Sequence, residues 1–139
     1  MKSPYQTIRR VEFRDTDAAG MVHFSVFFTY MEQAEHALLR ELGLSVVMTV
    51  GGQTISWPRV SAQCDYRSPA RFEDELVIVV RVARIGDKSV TYGFEFHRED
   101  TLLAVGTLVA ACCRLDVEQP YAVTIPPEII SKLREATDE

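Results

Sequence analysis

Cysteine is scarce in this 139-residue chain: Cys64, Cys112 and Cys113 are the whole supply. An odd number with no C-x-x-C spacing suggests neither a disulfide framework nor a zinc site, so the three read as small buried apolar residues. No metal site is expected. Positive charge is also in deficit, and the net charge of -5 argues against a broad nucleic-acid or anionic-membrane surface. Phosphate contacts would then have to be local. No apolar run approaches the ~18 residues of a membrane span, and the opening M-K-S-P-Y-Q-T-I-R-R has no apolar core of signal-peptide length. A cytoplasmic location is the expectation. Internal repeats, low-complexity stretches and linkers are missing too, so residues 1–139 read as one domain, a size able to bury roughly two thirds of its unfolded-chain surface.

What is present is strong periodicity. Residues 5 to 14, Y-Q-T-I-R-R-V-E-F-R, alternate as a half-buried strand does. From Ser25 to Leu42 the period changes: Phe27, Tyr30, Met31, Ala34, Ala37, Leu38 and Leu42 recur at three- and four-residue steps, with Glu32, Gln33, Glu35, His36, Arg40 and Glu41 between them. That predicts an amphipathic helix roughly 27 Å long, with Ser25 as N-cap and Gly43 as its stop. After Gly51-Gly52 the chain reads as strands over about 54–67, 75–85, 89–98 and 102–114, the last three joined by hairpin-sized separators. Pro58 falls inside the first of these, where it can donate nothing to a ladder. P-P-E-I-I-S-K-L-R-E-A predicts a short terminal helix with Pro127 in its first turn. Strand, long helix and four strands without alternation give an α+β fold: one antiparallel sheet wrapped around one central helix.

Chemistry gathers at the junction of first strand and helix, F-R-D-T-D-A-A-G-M-V-H-F, residues 13 to 24. Gly20 permits the dihedrals of a sharp reversal, and the first N–H groups of a helix lack intrahelical acceptors and carry partial positive charge. A carboxylate beside such donors is equipment for acyl transfer, because a developing oxyanion can settle on them. The spacing alone leaves the bland reading open, in which Asp15 and Asp17 only form turns or cap the helix. A calcium loop is not indicated, since no further acidic ligands or closing Glu follow.

The run V-E-F-R-D-T-D-A-A-G-M-V before a long helix resembles the signature of the hotdog-fold acyl-CoA thioesterases of the 4-hydroxybenzoyl-CoA thioesterase and YbgC-like group. P-R-V-S-A-Q-C-D-Y-R-S-P-A-R-F-E-D-E-L resembles the same family's later strand and turn, and the likeness covers about residues 7 to 114. It implies a hydrolase that splits an acyl-CoA thioester into a carboxylic acid and free CoA, with no cofactor because CoA is part of the substrate. It also implies a homodimer or homotetramer with active sites at subunit interfaces. Carried over, Asp17 matches the catalytic nucleophile or general base, and backbone N–H groups of Gly20, Val22, His23 and Phe24 would form the oxyanion hole. Lys88 and Ser89, in D-K-S, match a stretch that contributes to nucleotide binding. The chain departs from the family where His or Tyr is usual, at Phe24, and where Asn is usual, at Val26. His23 is therefore a second catalytic candidate if its side chain turns inward, and the change adds apolar volume near Phe27 for the acyl group. Glu32 and Glu35 compete with Asp17, because some related enzymes place a catalytic Glu on the long helix. Trp57 is a candidate pocket wall, and Arg59, Arg67 and Arg71 offer a phosphate patch. His36 and His97 read as structural, and Tyr66 as packing. The alternative to an enzyme is an acyl-CoA-binding sensor on the same fold, and a hotdog dehydratase is disfavoured because His23 and His97 do not present its histidine pattern.

Overall fold

The computed structural model describes residues 4–137. The chain enters as β1 (Tyr5–Arg10), passes through a single 3-10 turn (Phe13–Asp15) and runs into α1 (Val26–Glu41). Two short strands follow, β2 (Val47–Val50) and β3 (Gln53–Ser56), then β4 (Arg59–Tyr66) and the long meander β5 (Glu75–Ile85), β6 (Ser89–Arg98) and β7 (Thr101–Ala111). β8 (Cys113–Arg114), β9 (Tyr121–Ala122) and α2 (Pro127–Arg134) complete it.

The main sheet is antiparallel throughout, in the order β1-β5-β6-β7-β4. Its register places Ile78 beside Phe96, Val80 beside Phe94 and Val82 beside Tyr92, all buried and all on the pleat face turned to α1. From the helix, Phe27, Tyr30, Met31, Ala34, Leu38 and Leu39 meet them at the three- and four-residue spacing of one helical face. Met31 lies over Gly106, where a methyl group would sit only 2.8 Å from Met31 Sδ, so glycine lets the helix settle deep into the curve of the sheet. The expected wrapping of an antiparallel sheet around a long helix is what the chain builds.

Four expectations shift. The first strand stops at Arg10, because the Val11 N–H donates to the Asp74 carbonyl and Glu12 and Asp15 then close a reciprocal capping box around the 3-10 turn. The strand expected over 54–67 splits at Trp57-Pro58: β3 joins β2, β8 and β9 in a separate four-stranded sheet, while β4 pairs with β7. Proline supplies no N–H at the break, and its carbonyl accepts from Ala111 at 2.9 Å. The strand expected over 102–114 is likewise interrupted at Cys112, whose N–H donates to the Lys88 carbonyl. Glu35, grouped with the polar face of the helix, is fully buried. Ser25 stands at the helix N-cap without a side-chain capping bond, whereas Gly43 ends the helix at φ +76° as expected. No helix among the described residues is long and apolar enough to cross a membrane.

Candidate active site

The two acids of the opening loop have separate fates. Asp15 is buried; its Oδ2 accepts from the Tyr30 hydroxyl at 2.8 Å and from the Glu12 N–H at 2.9 Å, and its carbonyl accepts from the His23 N–H. It fastens the loop to the underside of α1. Asp17 is only half-buried. Its backbone N–H donates to the Met21 carbonyl, and its Oδ1 accepts from the N–H groups of Ala19 (2.9 Å) and Met21 (3.3 Å). Gly20, at φ +80°, makes that tight reversal possible and gives its own N–H to the Asp17 carbonyl. The carboxylate is thereby oriented through one oxygen, while Oδ2 takes no hydrogen bond among the described residues.

Asp17 lines a cavity of about 350 Å³. Met21, Val22, Phe24 and Phe27 form one wall and the segment from Tyr66 to Ala70 the other, so the site lies between the start of α1 and the end of β4. The walls are held by long-range bonds: Val22 N–H to Ala70 carbonyl at 2.8 Å, and Arg98 to the Pro69 carbonyl at 3.0 Å. Tyr66 donates its hydroxyl to the Phe24 carbonyl at 2.7 Å and sets its ring edge against Phe27, centroids 5.3 Å apart. Desolvation at this wall, followed by the neighbouring Cys64, pushes the Tyr66 hydroxyl up to about 12, so it stays a donor at neutral pH.

An inventory of N–H groups narrows the expected oxyanion donors. Gly20, Val22 and His23 give theirs to Asp17, Ala70 and Asp15 respectively. The Phe24 N–H takes no acceptor among the described residues, and its residue lines the cavity. His23 itself is exposed and outside the cavity lining. Its Nδ1 pairs with Ser25 Oγ at 2.8 Å and its ring lies against Phe24, so it braces the first turn of the helix. Phe27 lines the cavity.

The remaining candidates do not converge on Asp17. Glu32 is exposed, pairs with Arg59 at 3.4 Å and borders a different depression. Glu35 is gripped by both terminal nitrogens of Arg59, and Trp57 is buried in the core rather than lining the site, its carbonyl accepting from the same arginine. Lys88 and Ser89 lie beyond the far end of β5, a strand that leaves the site region at Glu75 and carries the chain on the order of 30 Å away. Arg71 is on the loop that bridges to Met21 but outside the cavity, and Arg67 is in its wall. His36 is half-buried, 3.7 Å from Glu35, and His97 pairs with Glu95 at 2.8 Å. Arg67, read from the sequence as part of a phosphate patch, and Tyr66, read as packing, are both in the cavity wall, together with Ser68, for which the sequence offers no signal.

An antiparallel sheet wrapped around one long helix, with a cavity at the start of that helix, is the architecture of a class, the hotdog-fold thioesterases. Residues 19–105 match the model of the Thioesterase superfamily. A putative esterase of Aquifex aeolicus is 28% identical over 134 residues, covering 95% of this chain and 99% of that protein. A 1,4-dihydroxy-2-naphthoyl-CoA hydrolase of Prochlorococcus marinus is 31% identical over 103 residues, covering 69% and 68%. Among solved structures, a gentisyl-coenzyme A thioesterase superposes with a TM-score of 0.81 at 26% identity, over 93% of this chain and 99% of that one. The chain belongs to the Thioesterase superfamily. The family match begins two residues after Asp17 and does not cover that carboxylate.

Proposed function

We propose that this protein hydrolyses aromatic acyl-CoA thioesters, with Asp17 as nucleophile or general base and the Phe24 N–H as oxyanion donor. The observation that carries the reading is Asp17 facing an apolar, ring-walled cavity with one oxygen tied and the other uncommitted. As nucleophile, Asp17 would attack the thioester carbon, release CoA thiolate and leave an anhydride for water to cleave. As base, it would take a proton from the attacking water, and the same acid and thiol would result. In either route negative charge grows on the carbonyl oxygen, where the Phe24 N–H would meet it. Phe24, Phe27 and Tyr66 present ring faces and edges suited to a flat acyl group. The relatives named for 1,4-dihydroxy-2-naphthoyl-CoA and gentisyl-CoA, both thioesters of aromatic acids, support that choice.

The working unit is proposed to be a homo-oligomer. β4 is an edge of the main sheet with Val60 63% exposed, and an unpaired strand edge is a template for a second copy. A partner's turn could then bring Lys88 and Ser89 toward a site they do not reach within one chain. The direct test follows released thiol across benzoyl-, hydroxybenzoyl-, naphthoyl-, hexanoyl- and decanoyl-CoA. The aromatic acyl-CoA thioesters are expected to give kcat/KM at least about tenfold above the aliphatic ones, a difference of roughly 1.4 kcal/mol in transition-state binding. Tight binding of all five without turnover would instead establish a sensor.

Tyr66→Phe probes the wall without emptying it, because the ring against Phe27 remains. Losing the hydroxyl's bond to the Phe24 carbonyl is expected to cost about 1 kcal/mol of stability. It should also lower kcat about tenfold with KM little changed, since the donor residue is less well oriented. Melting curves and steady-state kinetics on the same preparation check both.

A further inference from the structure

One pair of arginines has no role in the site above. Arg9 projects from the inward face of the edge strand β1 and Arg40 from the last turn of α1, and both line a second cavity of about 270 Å³ between these elements. Thr7, Gln33 and Tyr30 line it as well. The other arginines nearby are answered: Arg10 by Glu75 at 3.3 Å, and Arg59 by Glu32 and Glu35. Neither Arg9 nor Arg40 has a carboxylate partner among the described residues. Arg9 Nε is buried without any hydrogen-bond partner, although the guanidinium lies over the Tyr30 ring at 5.5 Å from its centroid. In a protein of net charge -5 with acidic side chains in surplus, two guanidinia in one cleft without a carboxylate between them are a selective feature, Arg9 being steadied, among the described residues, only by the Tyr30 side chain.

We propose that this cleft binds the phosphate group of a small phosphorylated ligand. Arg9 would offer its two terminal nitrogens as a fork, the geometry that matches two phosphate oxygens, while its Nε stays packed against the protein. Arg40 supplies the second charge and offsets the partial negative charge of the helix's last turn, which would otherwise repel an anion. Gln33 and Thr7 add neutral donors at the rim. The phosphate can belong to the CoA part of the proposed substrate or to a separate phosphorylated metabolite. Along α1, Gln33 stands about 9 Å and Arg40 about 20 Å beyond Phe27 in the catalytic cavity, the range a long thioester carrier spans.

The experiment titrates the full-length protein with inorganic phosphate and, separately, with adenosine 3′,5′-bisphosphate, following the Arg Nε–H resonances by NMR. Binding with Kd on the order of 1 mM or tighter is expected, with the Arg9 Nε–H signal shifted. Arg9→Gln and the Arg9→Gln/Arg40→Gln double variant should weaken binding at least tenfold, while Arg10→Gln, which removes one equal charge from the outward face, should not. Arg9→Lys keeps the charge without the fork and should bind between the two. A wild type that binds neither probe, or a double variant that binds both as tightly as wild type, overturns the proposal. The source is read from kinetics: a KM rising for a CoA thioester, and not for the same acyl group on N-acetylcysteamine, assigns the phosphate to CoA. A KM unmoved with phosphate binding lost assigns it to a separate metabolite. This proposal does not need the thioesterase reading, since phosphate binding is measured without turnover.

Discussion

Asp17→Asn is expected to remove at least a thousandfold of kcat while the protein folds and binds CoA as before. Asparagine keeps the shape and the Oδ1 acceptor that receives the Ala19 and Met21 N–H groups, so the reversal at Gly20 survives. What disappears is the charge, and with it both the nucleophile and the base; single acid–base groups are commonly worth 10² to 10⁴ in rate, and nucleophiles more. Thiol release measured beside CoA binding by calorimetry separates the two effects. One further measurement divides the mechanisms: a single turnover of wild type in ¹⁸O water. Label appearing first in Asp17 rather than in the product would demonstrate an anhydride and exclude direct attack by water. Full activity in Asp17→Asn would remove Asp17 from the reaction altogether.

The second large effect is on stability. Glu35 is fully buried in the middle of α1, and its carboxylate is held by both terminal nitrogens of Arg59 on β4. Arg59→Met leaves that charge in the core without a partner, a change that typically costs about 3–5 kcal/mol. For a domain of this size the melting temperature should fall by roughly 10–15 °C. Arg59→Met/Glu35→Met removes both charges and should recover most of the loss, because well-packed apolar pairs often equal a buried ion pair. Calorimetric melts of the three proteins check it; a double variant no more stable than Arg59→Met would mean that packing at β4, not charge, sets the cost. The pair also fixes the edge strand against the helix that carries Phe27, so the same bond supports the wall of the Asp17 cavity.

Much of this molecule is legible in its residues because the signals are local. The three- and four-residue recurrence from Phe27 to Leu42 marks α1, Gly43 marks its end, and I-G-D-K and R-E-D-T mark the hairpins of the meander. Pro58 correctly warned of a break, but nothing nearby says that the preceding piece leaves for another sheet. The strands β2 and β9 are too short, at four and two residues, to show a period. In the site, the motif points to Asp17, yet spacing cannot tell which of two acids turns inward; the 3-10 turn decides that by sending Asp15 under the helix. The sequence also cannot show which loop N–H groups are spoken for, since the acceptor for Val22 comes from Ala70. Tyr66 reaches across 42 positions to Phe24 and Arg59 across 24 to Glu35. Contacts of that separation leave no periodic trace, which is why the sequence groups Glu35 with the polar residues of the helix and does not show its pairing with Arg59.

The hydroxyl that holds Asp15 has a cost at high pH. Burial, and then the hydrogen bond to Asp15, raise the Tyr30 pKa well above its ordinary value of 10.0. A proton held more tightly in the folded than in the unfolded chain stabilises the fold fully below pH ~10, and that contribution drains away as the pH rises through the folded value. Because Tyr30 fastens the strap that carries Asp17, alkali would loosen the reaction centre from beneath. Part of the protein's tolerance of base therefore resides in a phenol outside the Asp17 cavity.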